Sequence, residues 1–335
     1  MTNNDSTATT NNKNQPPSRI LITGANTGLG FECARQLASQ SGVEKIILGC
    51  RSQERAEAAK QKLQGLTGKD ESFFQIALMD VANLDSVRKA AAKLSQEEDY
   101  IDGLVLNAGG LGGLEPRKLT EDSGVTFNVA VNVLGHVLLV DELIKANKIR
   151  GDAASVVLSG SEAARGVTEM NVPPPTLQSG SVEEFQSICD GSFFPDGVHE
   201  NSLYSLSKLL AALWMSHMAQ KHPKIRFVTI SPGFTSGTDA VRDKSFLRRV
   251  AWSVLTTTLT YLGKCNSLQT GTKRYVDALL DRDNYKSGVF YASLAGKAVG
   301  EVCDQSEILS YFANAEYQEN AYKALCSFIY KKSMK

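Results

Sequence analysis

Apolar residues recur along the chain in short runs, separated by longer stretches in which they are spaced three or four positions apart. Seven runs rich in branched side chains lie at residues 19–24, 45–50, 73–80, 103–107, 155–161, 226–231 and 288–291. Between the first two, the spacing of Phe31, Ala34 and Leu37 is typical of one apolar helix face. Strands that alternate with helices need crossover connections, which make the strands parallel and cover both faces. The pattern therefore predicts an α/β fold with one doubly wound parallel sheet.

Two regions interrupt this rhythm, residues 162–201 with three consecutive prolines and residues 233–267. Each follows the end of a predicted strand, where ligands bind in open α/β sheets. We therefore expect both to enclose a substrate. Large apolar residues within them would line an apolar ligand site or serve packing: Phe193, Phe194, Leu247 and Trp252.

Length and composition predict one domain over residues 18–335, preceded by a polar, disordered tail at residues 1–17. Lysine plus arginine and aspartate plus glutamate both total 36, so nucleic acid or an anionic membrane is not an expected partner. The six cysteines are scattered without metal-ligand spacing, which predicts a reducing compartment and no zinc. With no signal peptide and no apolar run long enough to span a bilayer, we expect a cytoplasmic protein.

Residues 23–30, Thr-Gly-Ala-Asn-Thr-Gly-Leu-Gly, directly follow the first predicted strand and open a helix. Gly24, Gly28 and Gly30 permit a tight turn and let backbone N–H groups approach a pyrophosphate. The positive end of the following helix attracts the same anion. The segment is interpreted as a phosphate cradle, with an ordinary glycine-rich turn as the alternative.

Tyr204 and Lys208 lie four positions apart and share one face if their segment is helical, as the run through Leu209, Ala212 and Trp214 indicates. Free tyrosine titrates near pH ~10, and a neighbouring cation lowers that value by favouring phenolate. The pair could therefore exchange a proton with a substrate. The alternative is an exposed helix pair without function.

The glycine spacing, Asn-Ala-Gly at residues 107–109 and Tyr-x-x-x-Lys occur in order at strand ends, and together they resemble the short-chain dehydrogenase/reductase family over residues 19–291. The resemblance implies a Rossmann-type fold, an oxidoreductase activity and NADPH as cofactor. This chain also shares with relatives in the family a long insert before the active-site helix and a helical C-terminal tail. The cofactor-binding residues it implies are Thr23, Gly24, Asn26, Thr27, Gly28, Leu29, Gly30, Arg51, Asp80, Val81, Asn107, Ala108, Gly109, Tyr204, Lys208, Pro232, Gly233 and Thr235.

The same resemblance implies a catalytic group in which Tyr204 exchanges a proton with the substrate and Lys208 tunes it. Ser161 matches the serine that orients the substrate carbonyl, with Ser159 as the lesser candidate. Asn132 matches an asparagine whose buried amide can anchor a proton-relaying water with Lys208, although it could also be structural. His136 is interpreted as a packing or hydrogen-bonding residue.

Arg51 ends the second strand where NAD-preferring relatives place an acidic residue, and its planar cation fits the additional phosphate of NADP. The alternative is a solvated surface arginine. Asp80 could contact adenine or cap the next helix. Thr238 lies one position later than the family's usual threonine, so the choice between it and Thr235 for the carboxamide contact stays open.

Within the family, residues 49–52, 132–136 and 286–289 resemble the branch of retinol dehydrogenases and light-dependent protochlorophyllide reductases. We therefore expect a lipophilic carbonyl or alcohol substrate, retinoid-like or of another lipophilic kind, and an enzyme that could form homo-oligomers. Leu210 stands where the light-dependent enzymes carry cysteine, and this difference weighs against reduction of a tetrapyrrole. Tetrapyrrole reduction, with a plastid location, is therefore the alternative. A non-catalytic nucleotide-binding scaffold or sensor is an alternative of another class.

Overall fold

The computed structural model describes residues 16–111, 115–149, 154–195, 200–237 and 255–330. Their central feature is one eight-stranded sheet. The strands are β1 (Arg19–Thr23), β2 (Lys45–Cys50), β3 (Phe74–Leu78), β4 (Gly103–Leu106), β5 (Ser155–Ser159), β6 (Arg226–Ile230), β7 (Phe290–Ser293) and β8 (Val302–Asp304). They lie in the order β3-β2-β1-β4-β5-β6-β7-β8.

The first seven strands pair in parallel, which confirms the predicted doubly wound sheet. β8 was not predicted and pairs antiparallel with β7. It has three partly exposed residues, so it lacks the buried apolar run on which the other predictions depended. Asp80, Asn107 and Ser161 were included in predicted strands, but they lie just beyond the strand ends.

Helices cover both faces of the sheet. They are α1 (Gly28–Ala38), α2 (Gln53–Thr67), α3 (Leu84–Glu97), α4 (Phe127–Lys145, with a π-helical stretch at Ala130–Leu134), α5 (Val182–Asp190), α6 (Glu200–Lys221), α7 (Leu268–Leu280) and α8 (Ala315–Ile329). Along β1 the alternation of a strand sends Ile20 and Ile22 into the core beneath α1, α2 and α7. Leu21 enters the opposite core with α3, α4, α6 and α8.

By length and composition, α4 could cross a membrane, with a mean hydropathy of 1.5. Most of this window, 78%, is buried inside the protein, and α4 packs against α3 and α6. A central helix covered on all sides is apolar for the same reason as a spanning one, so this helix is weak evidence for a membrane.

The C-terminal tail forms α8, which packs against α5 and α6. A Cβ on Gly180 of the insert would lie 2.1 Å from the ring of Tyr317, so insert and tail are in close contact. Asp141 on α4 accepts hydrogen bonds from Tyr330 at 2.9 Å and Tyr322 at 3.3 Å. The predicted helical tail is therefore confirmed and covers the helical face behind the insert.

Candidate functional site

The glycine-rich loop joins β1 to α1 in a turn that residues with a side chain could not form. Gly24 has a φ of +67°, and its N–H donates to the Gly49 carbonyl at 2.7 Å. A Cβ on Gly30 would lie 2.3 Å from the Gly24 carbonyl oxygen and 2.5 Å from Asn107 Nδ2. Backbone therefore passes against backbone here, as a phosphate cradle requires.

The start of α1 is open to an anion. Thr27, the residue before the helix, makes no side-chain hydrogen bond to it, and the first turn carries no acidic residue. The backbone N–H groups of this turn and the helix dipole therefore attract a negative group placed there. These residues fit the pyrophosphate of a dinucleotide, which Asn26, Thr27, Gly28 and Leu29 would hold through the backbone.

A second loop braces this cradle from β4. Asn107 Nδ2 donates to the Thr23 carbonyl at 2.9 Å, and the Ala108 N–H donates to Thr23 Oγ1 at 3.0 Å. Thr23 Oγ1 also lies 3.1 Å from Nε2 of the fully buried His136. Burial lowers the pKa of His136 to about 3, so the ring is neutral and its hydrogen-bonding role is confirmed.

Arg51 is exposed directly after β2. Asp80 follows β3, where its carboxylate accepts the Ala82 N–H at 3.0 Å. The capping alternative for Asp80 was wrong, because Asn83 caps α3 by accepting the Ser86 N–H. Val81 is buried and its carbonyl lies against Gly135 of α4, where a Cβ would lie 1.9 Å away.

Tyr204, Lys208 and Ser161 meet at the carboxyl end of β5. The Ser161 hydroxyl lies beside the phenol of Tyr204, and Lys208 Nζ lies 5.7 Å from the centre of that ring. Lys208 Nζ donates to the Ser159 carbonyl at 2.8 Å, while Ser159 Oγ lies 2.7 Å from the hydroxyl of the buried Tyr275. Of the two serines, Ser161 is thus the one whose hydroxyl faces Tyr204.

Burial dominates the titration of both groups. It lowers the pKa of Lys208 to about 8 and raises the pKa of Tyr204, against the opposing effect of the Ser161 hydrogen bond. We expected Lys208 to lower the pKa of the phenol, but this was wrong, because burial raises it. The Lys208 ammonium is bound to the Ser159 carbonyl and lies 5.7 Å from the centre of the ring.

Asn132 lies in the π-helical stretch of α4, a feature often found at functional sites. Its Nδ2 donates to the carbonyls of Gly110 at 2.8 Å and Asn128 at 2.9 Å, and its Oδ1 accepts the Gly110 N–H at 3.0 Å. Both amide donors are therefore used within the protein. The structural alternative is supported, and the amide holds the loop of Gly109, where a Cβ would lie 2.6 Å from Oδ1 and 3.5 Å from Lys208 Nζ.

The loop after β6 is held by hydrogen bonds from Thr235 and Asn266. Thr235 Oγ1 donates to the carbonyls of Pro232 at 3.1 Å and Gly233 at 3.0 Å, so this hydroxyl is used within the loop. Asn266 Nδ2 donates to the same Pro232 carbonyl at 2.9 Å. Thr238, the other candidate for the carboxamide contact, lies outside the described residues.

Four large apolar residues were predicted to line a ligand site or to serve packing, and two of them pack against the core. Phe193 and Phe194 contact each other edge to face at 5.3 Å and lie against the core. Arg117 lies 6.0 Å from the Phe194 ring. The packing alternative therefore holds for this pair, whereas Leu247 and Trp252 lie outside the described residues, as do residues 1–15.

Sequence reasoning missed the loop between β7 and β8, residues 294–301. The Ala298 N–H donates to Glu169 of the insert at 2.7 Å, and the Ala298 carbonyl accepts the Phe234 N–H at 2.8 Å. This loop therefore connects the described parts of the two predicted enclosure segments. Its turn composition, with Gly296 and Gly300, was the available signal.

Comparison with known proteins agrees with this geometry. The family model described as short chain dehydrogenase matches residues 18–172. Human retinol dehydrogenase 13 is 38% identical over 149 residues, which are 44% of this chain and 42% of that protein, so the match spans less than half of this relative. Protochlorophyllide reductase B of Oryza sativa is 28% identical over 282 residues, covering 81% and 68% of the two chains.

Among solved structures, L-sorbose reductase from Gluconobacter frateurii, in complex with NADPH and L-sorbose, superimposes with a TM-score of 0.62. The match covers 86% of this chain and 99% of that one at 17% identity. At that identity the likeness establishes the fold alone.

Proposed function

We propose that this chain is an NADPH-dependent enzyme of the short-chain dehydrogenase/reductase family, whose model matches residues 18–172, and that it interconverts a lipophilic carbonyl compound and its alcohol. The observation that carries the proposal is that Tyr204, with Ser161 and the buried Lys208 beside it, lies at the sheet edge that also bears the glycine cradle. A scaffold would have no need of a proton donor beside a buried lysine at this edge.

The bound nicotinamide supplies hydride to the carbonyl carbon or accepts it from the alcohol. Ser161 and Tyr204 would hold the carbonyl oxygen through their hydroxyls, and Tyr204 would donate the proton that this oxygen gains. Burial keeps the phenol protonated at neutral pH, which suits reduction. The Lys208 ammonium, with a pKa of about 8, carries its charge below that pH and would replenish the proton.

An apolar substrate is supported by the surroundings of the site. Leu111, Met170 and Leu294 are each more than a third exposed, and each belongs to a loop at the carboxyl edge of the sheet. Exposed large apolar side chains at a ligand-binding edge favour binding of an apolar ligand. A retinoid-like carbonyl would satisfy this chemistry.

The test is to incubate the purified protein with NADPH and a panel of carbonyl compounds, including retinal, and with protochlorophyllide in light and in darkness. We expect NADPH oxidation with lipophilic carbonyls in both conditions. Turnover of protochlorophyllide alone would establish the tetrapyrrole alternative, which the similarity to protochlorophyllide reductase B supports. Cofactor binding without turnover of any compound would favour the scaffold.

Replacing Arg51 by alanine is expected to weaken NADPH binding and to leave NADH binding nearly unchanged. The exposed guanidinium follows β2, where it can pair with the phosphate that NADH lacks. A lost charge-assisted hydrogen bond costs about 1.5–3 kcal/mol, or roughly 10- to 150-fold in the dissociation constant. Titrating both cofactors into wild type and Arg51→Ala measures it.

Lys323→Ala is the control, because it removes one positive charge from α8, where Lys323 pairs with Glu319. If Arg51→Ala left the ratio of the two dissociation constants as in wild type, Arg51 would not select the cofactor.

Residues 162–201 and 233–267 are expected to gain protection from hydrogen exchange when cofactor and substrate are both bound. Segments that close over a ligand exclude water from the reacting groups. Exchange would be followed in the free, NADPH-bound and ternary states, with the loop at residues 23–30 as the control for cofactor binding. Equal exchange of both segments in all three states, with protection of that loop, would show that they are surface additions.

A further inference from the structure

Glu162 directly follows Ser161 and is 5% exposed. Its Oε2 accepts a hydrogen bond from the Ser231 hydroxyl. Its Oε1 accepts the Ser293 hydroxyl at 3.0 Å and the Ser293 N–H at 3.3 Å, and lies 3.5 Å from Arg274 Nη1. A buried carboxylate thus lies next to the serine of the site, with every partner on another element.

These partners lie at neighbouring strand ends. Glu162 follows β5, Ser231 follows β6 and Ser293 ends β7, so one carboxylate connects three strands at the edge that carries the site. Burying an ion pair gains little stability, because desolvation offsets the attraction. Its position therefore needs an explanation other than stability of the fold.

The same cluster holds the loop at residues 294–301. Arg274 Nη2 donates to the Gly300 carbonyl at 2.7 Å. Arg165, three residues after Glu162, donates from Nη2 to the carbonyls of Ser293 at 2.8 Å, Leu294 at 2.9 Å and Lys297 at 2.8 Å. Ser161 and the loop that connects the two enclosure segments are therefore held by one buried network.

We propose that Glu162 is a positioning residue, which holds the turn that carries Ser161 beside Tyr204 and links this turn to the loop beside the substrate site. The proposal rests on the proposed function, since it assigns Glu162 a part in the same reaction. Glu162 acts through Ser161 and Tyr204 and is not expected to contact the substrate.

The charge of Glu162 gives this role a measurable consequence. The carboxylate adds to burial in raising the pKa of Tyr204, and Arg274 partly neutralises it. The titratable and charged groups around the Glu162–Tyr204 pair come from the turn after β5, α6 and α7: Arg165, Lys208, Arg274 and Tyr275. Removing the carboxylate should therefore lower the pKa of the phenol, and removing the Arg274 cation should raise it.

The experiment compares Glu162→Gln and Arg274→Gln in the full chain. Isotope-labelled tyrosine is titrated by NMR, and the Tyr204 resonance is assigned by its absence in Tyr204→Phe. We expect the phenol to titrate at lower pH in Glu162→Gln and at higher pH in Arg274→Gln. We expect kcat to fall about ten- to a hundredfold in both, because the reacting groups are misplaced.

Glu98→Gln is the matched control. Glu98 is a buried carboxylate paired with Lys45 at 2.9 Å and Arg19 at 3.4 Å at the opposite edge of the sheet. The Glu98→Gln variant should be less stable than wild type in thermal unfolding, with the Tyr204 resonance and kcat unchanged.

Shifts in the same direction in the two variants, or no shift, would overturn the proposal. If Glu162→Gln does not fold, an unmoved Tyr204 resonance in Arg274→Gln has the same meaning. The NMR titration needs no substrate, so a failure of the proposed activity would appear separately, as wild-type protein that turns over no compound.

Discussion

Replacing Tyr204 by phenylalanine is expected to lower kcat by about 10²–10⁴-fold, the usual contribution of a general acid. The dissociation constant for NADPH should stay largely unchanged. The substitution removes the hydroxyl beside Ser161 and keeps the ring, which lies 5.7 Å from Lys208 Nζ. Steady-state kinetics on the best compound of the panel, with a cofactor titration, provides the measurement.

Tyr285→Phe is the matched control. Tyr285 is 9% exposed and contacts Tyr291 edge to face at 5.0 Å, in the core beneath α7. It also loses a phenol hydroxyl, but it should retain turnover. If Tyr204→Phe turned over its substrate at nearly the wild-type rate, the proton would come from another group and the mechanism would be wrong.

The parts of this fold that could be predicted from sequence are those in which local pattern and burial agree. Strands β1, β2, β4, β5 and β6 are short apolar runs whose residues are mostly buried, and Lys45–Cys50 was predicted to the residue. β8 could not be found in this way. It is a three-residue edge strand without apolar alternation, and it exists because β7 offers it an unpaired edge.

The site likewise has parts that could be predicted from the sequence and parts that could not. The glycine loop and the Tyr204–Lys208 pair follow from spacing within one element, and the structure brings them to one sheet edge. Asn132 and Lys208 bind the backbone carbonyls of Gly110 and Ser159, which belong to other elements, so spacing could not assign these partners. Glu162 is the clearest case, because its contact with Ser293 joins residues 131 positions apart.

Gly30→Ala is expected to have the second large effect, a loss of cofactor binding of at least about tenfold. The added Cβ would lie 2.3 Å from the Gly24 carbonyl oxygen, a distance that such atoms do not tolerate. Asn107 Nδ2, at 2.5 Å, belongs to a side chain and could move, but the carbonyl belongs to the turn itself. Relief therefore requires α1 to move away from the loop, and overpacking of this kind costs about 1–3 kcal/mol.

The same movement displaces the first-turn N–H groups from the place where a pyrophosphate would bind, so affinity and stability should fall together. Gly65→Ala separates this effect from a general response to alanine, since a Cβ at Gly65 of α2 would have nothing within 4 Å. In a helix interior that exchange should stabilise by about 0.5–1 kcal/mol and leave cofactor binding as it was. Fluorescence titration with NADPH and chemical unfolding measure both variants. Wild-type affinity in Gly30→Ala would mean that the cofactor does not depend on this turn, and the cradle would have to be sought elsewhere along the sheet edge.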